Sequence, residues 1–188
     1  MVHFDSPGRP RTAEDEYFWR QDAEILARAG EALRIRVERA ALADALGAHD
    51  LDAIDQLYSH GLRASTAAVV EWLPAVEVAW LDGMDEAERH ALRVQFSSDD
   101  RASGAGLALL HGWLTQRPPH RLFAAGRSVL RDRLHALDDE GRGAALARIV
   151  AICEAAGRAA GGLFGLGALS SDERRHIELI RRDLAPPL

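Results

Sequence analysis

The sequence predicts an all-α protein. Ala and Leu, both strong helix formers, are abundant. Runs of β-branched residues are almost absent, apart from Val69-Val70 and Ile149-Val150. Helix-start signatures recur ahead of apolar stretches, with a capping residue followed three positions later by an acid: Thr12 and Asp15, Asp85 and Glu88, Ser170 and Glu173. A chain of 188 residues is long enough to bury a proper core. The expected architecture is a helical bundle of about eight helices.

Taken in order, residues 1–12 are polar and Pro-containing and read as a flexible tail. A long helix follows over about 13–46, the core of an N-terminal arm at 13–47. Its apolar or small residues Trp19, Ala23, Leu26, Gly30, Leu33, Val37 and Ala40 alternate in spacings of four and three. That is the seam of a helix pair. It suits packing on the protein's own body, or a homodimer through this helix. Gly47 ends the arm, and residues 48–188 form the main domain. Asp50 opens a short helix closed by Gly61. Ser65-Thr66 starts the next, which Pro74 should kink or break near Trp72. Helices are then expected over about 86–96, from Ser103 to the residues before Pro118-Pro119, over 120–137, from Asp138-Asp139-Glu140 to about Ala160, and over about 171–184. The Gly-rich stretch 161–167 reads as a connector.

The chain turns on the stretch from Val78 to Arg93. Val76, Val78, Ala79, Trp80 and Leu81 end a helix, and Asp82-Gly83 stops it, because Gly tolerates the left-handed conformation of a helix end. Asp85 and Glu88 then form a capping box, with acid at the positive end of the helix dipole. A looser copy of this plan returns from Gly161 to Arg175, using Ser170 and Glu173. Two helical hairpins bent around polar corners are therefore expected to form a pseudo-repeat. Capping alone accounts for all four corner residues.

The net charge is −6, unevenly spread. Residues 1–100 carry 10 Arg against 20 acids, and residues 101–188 carry 13 Arg against 9 acids. The halves can attract within one fold or between subunits. An acidic chain is a poor general nucleic-acid binder, and the hairpin at 51–72 offers no Arg, Asn or Gln on its second helix to read bases. Arg117, Arg121, Arg127, Arg131 and Arg133 make one basic helical region, suited to phosphate, to an acidic partner, or to the chain's own acids. Cys153 is the single cysteine and reads as a buried small hydrophobe. It allows no intrachain disulfide, which suits a reducing cytoplasm. No signal peptide or membrane-spanning stretch is expected. Trp72, Trp80 and Trp113 read as core.

The stretch P-A-V-E-V-A-W-L-D-G-M-D-E-A-E-R-H-A-L resembles the signature of the TerB-like family, helical domains named after a tellurite-resistance protein. That signature is an apolar helix, Ala-Asp-Gly, a short turn, and E-R opening a second helix. The resemblance is best over about 50–184, and the arm, with E-D-E-Y-F-W-R-Q-D-A-E, is similar to a bacterial subgroup. It implies a non-enzymatic bundle with an internal pseudo-repeat, an association with stress responses, an unidentified protein partner, and divalent-cation binding at the acidic turns. By motif position the cation ligands are Asp82 and Glu88 in the first copy and Glu173 in the second, with Asp85 beside them. The sequence departs from the pattern twice. The first turn, D-G-M-D, is one residue short, and Leu166 occupies the Asp position of the second.

Hard cations want several oxygen ligands, and Asp82, Asp85, Glu86 and Glu88 supply carboxylates within seven residues. Glu173-R-R-His176 has the E-x-x-H spacing of di-iron carboxylate bundles. A carboxylate-bridged oxidoreductase would need further helical acids, for which Glu71, Glu77 and Glu154 are available, and a second E-x-x-H, which is missing.

Overall fold

The computed structural model describes residues 12–160 and 169–185. Among these it is all-helical, with eight α-helices, one 3-10 helix and no strand. The connector 161–167, including Leu166, lies outside the described residues.

The chain divides into two units within its first helix, between Glu38 and Arg39. Helix α1 (Ala13–Leu46) starts as expected: Thr12 Oγ1 accepts from the Asp15 N–H at 3.1 Å, and Asp15 Oδ2 accepts from the Thr12 N–H at 3.2 Å. Along its first unit the large seam residues Trp19, Leu26, Leu33 and Val37 are exposed, as are Tyr17, Phe18 and Ile25. Exposed pairs such as Arg34 with Glu31 at 2.6 Å support the helix locally, each by only a few tenths of a kcal/mol.

The second unit, Arg39–Leu188, holds the core. Leu42 and Leu46, the last apolar residues of α1, are fully buried in it. Gly47 then takes φ 61°, a conformation that a residue with a Cβ rarely adopts. Helix α2 (Leu51–Ser59) is capped by Asp50, whose Oδ1 accepts from the Ala53 N–H at 3.0 Å. Its other oxygen accepts from Ser128 Oγ at 2.7 Å, pinning α2 to α6 (His120–His135).

The expected kinked helix near Trp72 is two elements. A 3-10 helix spans Ala64–Trp72, and α3 runs Leu73–Ala79. Thr66 does not start the first; it reaches back from the third position, its Oγ1 accepting from the Arg63 N–H at 3.0 Å. Pro74 falls in the first turn of α3, where its missing N–H leaves no hydrogen bond unmade. All seven residues of α3 are buried, as befits a short helix that is apolar almost all round. It lies against α6, α7 (Asp139–Ala160) and α8 (Ser171–Leu184). Trp72 meets Phe96 edge-on, with ring centroids 5.2 Å apart. The expected core position of Trp80 is met in part: it is half-buried, and its Nε1 donates to the Trp113 carbonyl at 2.9 Å.

Helices α4 (Glu86–Ser97) and α5 (Gly104–Thr115) follow. Helix α7 carries the interface between the two hairpins, touching α3, α4 and α8. No helix among the described residues is long and apolar enough to cross a membrane.

Candidate functional site

The first corner is built from three consecutive local events. Helix α3 ends at Ala79, Gly83 takes φ 104°, and Asp85 caps α4. Asp85 Oδ1 accepts from the Glu88 N–H at 2.8 Å, and Glu88 Oε2 accepts from the Asp85 N–H at 2.8 Å. This reciprocal box is worth about 1 kcal/mol. It also forces Glu88 inward, to 1% exposure. The second corner repeats the box. Ser170 Oγ accepts from the Glu173 N–H at 3.1 Å, and Glu173 Oε2 accepts from the Ser170 N–H at 2.6 Å. Glu173 is 4% exposed.

Each box uses one carboxylate oxygen and leaves the other over. Oε1 of Glu88 and Oε1 of Glu173 are buried, with no hydrogen-bond partner among the described residues. Such atoms are rare, because an unpaired buried acceptor costs about 1–3 kcal/mol. Beneath Glu173 lies Gly157 of α7. A Cβ there would stand 2.9 Å from Oε1, so glycine makes the room the carboxylate occupies.

The corner is short of positive charge. Burial pushes the Glu88 carboxyl up, the Asp85 N–H offsets part of this, and the charges of Asp85, Asp82 and Glu173 push it further, to about 7. Glu88 therefore keeps its proton to a higher pH than an ordinary carboxyl. The structure brings Glu88 and Glu173 close enough to repel. Asp82 and Asp85 are exposed at the mouth and act on Glu88 through their charge. Glu86 points outward to Arg89.

Three other acids singled out in the sequence have different roles. Glu71, at the end of the 3-10 helix, is buried and held by Arg101 through two bonds of 2.7 and 2.6 Å. Arg133 Nη1 donates to it at 2.9 Å, and Arg148 Nε lies 3.6 Å away. Glu77 of α3 is bound by Arg127, with His176 Nε2 at 3.5 Å. Glu154 pairs with Arg158 at 2.6 Å. Glu173 and His176, spaced as E-x-x-H, thus face different partners. Among the described residues, no group of three or more His, Cys, Asp or Glu side chains is arranged to hold a metal ion.

The basic helix is largely neutralised from within. Arg127 and Arg131 of α6 both reach Asp183, at 3.0 and 2.8 Å, and Arg133 reaches Glu71. The first half's surplus acid and the second half's surplus Arg meet inside one domain. Cys153 is buried, and burial, with Glu77 and Glu154 adding to it, pushes its thiol up, away from the reactive thiolate. The Arg cluster around Glu71 escaped sequence reasoning. Its members lie 30 or more positions from Glu71, beyond any local spacing rule. Comparison with protein-family models, with curated proteins and with solved structures found no match to this chain.

Proposed function

We infer that this chain is a non-catalytic, TerB-like helical module whose acidic corner takes up a divalent cation weakly. The observation that carries the reading is the pair of buried carboxylates, Glu88 and Glu173, each with an oxygen left unpartnered. A hard cation takes several oxygen ligands, and the two leftover oxygens, with the carboxylates of Asp82 and Asp85, supply them. Asp82 and Asp85, at the mouth, add attraction. The cation competes with the proton on Glu88, so binding releases a proton and strengthens with pH. In this reading the module senses cations and passes its state to a protein partner in a bacterial stress response, in the cytoplasm.

Thermal unfolding with added Mg²⁺ or Ca²⁺ tests the reading. At pH 8, a cation at ten times its Kd should add about 1.4 kcal/mol, or about 3 °C in Tm. At pH 5.5 the shift should vanish. An unmoved Tm at pH 8 would leave Glu88 and Glu173 as capping residues alone.

The exposed heptad seam of α1 supports a second element of the reading, a homodimer through residues 13–46. Leu26→Glu should lower the mass measured by sedimentation equilibrium to that of a monomer. An unchanged mass with a lowered Tm would assign the seam to internal packing instead.

A further inference from the structure

We propose that the cavity beside Glu71 is a binding site for a small organic carboxylate with a short aliphatic body. The cavity holds about 300 Å³ and opens between α6, α7 and the end of the 3-10 helix. Leu130, Leu134 and Ile149, all buried, line it with hydrocarbon, and Ala145 leaves the α7 wall low. Glu71, Arg101, Arg133 and Arg148 supply all its charged lining, three cations to one anion.

The ion pairs around the cavity are not balanced. Arg101 spends its guanidinium on Glu71 and Asp99. Arg148 binds Asp99 through Nη2 and faces Glu71 through Nε. Three guanidinium groups therefore share two carboxylates, Glu71 and Asp99. Arg133 bonds only through Nη1, and Arg148 Nη1 has no partner among the described residues. One more carboxylate would bring the group to neutrality and use the remaining N–H donors of a planar fork.

The walls decide against a bare anion. Inorganic phosphate would satisfy the arginines and leave the exposed hydrocarbon of the lining, Leu137 and Ala144 beside the half-buried Ala145, as a floor in water. A ligand with an apolar body covers that floor, which is the usual design of a small-molecule site: mostly hydrocarbon with a few placed polar groups. At roughly 30 Å³ per water-sized unit, the space takes a ligand of up to about ten non-hydrogen atoms, enough for a carboxylate on a body of about five or six carbons. The site shares no residue with the acidic corner.

Isothermal titration with 4-methylpentanoate tests the assignment. Saturable binding with a Kd on the order of 1 mM is expected for a ligand of about eight non-hydrogen atoms. The alcohol 4-methylpentan-1-ol, which lacks the charge, and inorganic phosphate, which lacks the body, should each bind at least about tenfold more weakly. Arg133→Gln should weaken the carboxylate about tenfold, and Ala145→Phe, which fills the space without touching an ion pair, should abolish its binding. Glu88→Gln should leave it unchanged. Circular dichroism melts confirm that each variant is folded. Binding that survives Ala145→Phe in a folded variant, an alcohol or phosphate that binds as well as the carboxylate, or no saturation by about 20 mM would overturn the assignment.

Discussion

Glu71 and Glu88 are the same residue type, both buried within one domain, and they hold their protons in opposite ways. Burial pushes both carboxyls up. At Glu71 the Arg101 hydrogen bonds and the charges of Arg101, Arg133 and Arg148 outweigh burial and hold the carboxyl below its ordinary range. At Glu88 the neighbours are other acids, and the carboxyl rises to about 7. Burial alone does not set the charge of an acid; what shares the burial does. One region is a carboxylate fixed by cations. The other is an acid whose burial and acidic neighbours favour its protonated form.

The largest effect in this comparison should come from Glu71→Ala. It would strand Arg101 beside a half-empty cluster. Because the arginines are partly exposed, a loss of about 2–3 kcal/mol is expected, no more than the low end of the range for a fully buried broken pair. Urea unfolding at pH 7 measures it, and a loss under about 1 kcal/mol would show that solvent already carries the arginines. The pH dependence follows from the sign of the shift. The folded carboxyl lies below its unfolded value, so its contribution is present above about 4.5 and fades as pH falls through the folded value.

Glu88 has the reverse sign. Its folded value of about 7 lies above the ordinary 4.5, so the native state binds the extra proton. Its stability contribution is complete below about 4.5 and is lost as pH rises through 7, to a total of about 3 kcal/mol. Glu88→Gln keeps an acceptor for the Asp85 N–H and cannot ionise. Stability against pH between 5 and 8 should flatten, with a gain of about 1–2 kcal/mol at pH 8. A slope identical to that of the unaltered chain would assign the pH dependence to other groups.

The smallest effect separates the two corners. Asp85→Ser makes the first cap like the second, which has Ser170. Capping strength should change by less than about 0.5 kcal/mol. The Glu88 carboxyl, followed by NMR titration, should move down yet stay above its ordinary range, because burial is its largest cause. A full return to the ordinary range would make Asp85, rather than burial, the source of the shift.

The local grammar of the chain was legible. The caps at Thr12, Asp50, Asp85, Ser103 and Ser170 each act on a backbone N–H three residues on, so sequence spacing is enough to find them. The stops at Gly47, Gly61 and Gly83 are local too, each with a positive φ. The stretch around Pro74 was harder. Its spacing suits one kinked helix, whereas the chain makes a 3-10 helix and a separate buried α-helix.

Glu88 and Glu173 were legible as capping residues and as a possible cation pair. Their burial and their leftover oxygens were not. The sequence by itself determined where helices begin and end, because those choices are settled within one turn of backbone. Only the tertiary structure decided which acids are neutralised, because that depends on groups packed together from far along the chain. Arg101 reaches Glu71 across 30 positions and Arg133 reaches it across 62, while among the described residues no arginine closes on Glu88.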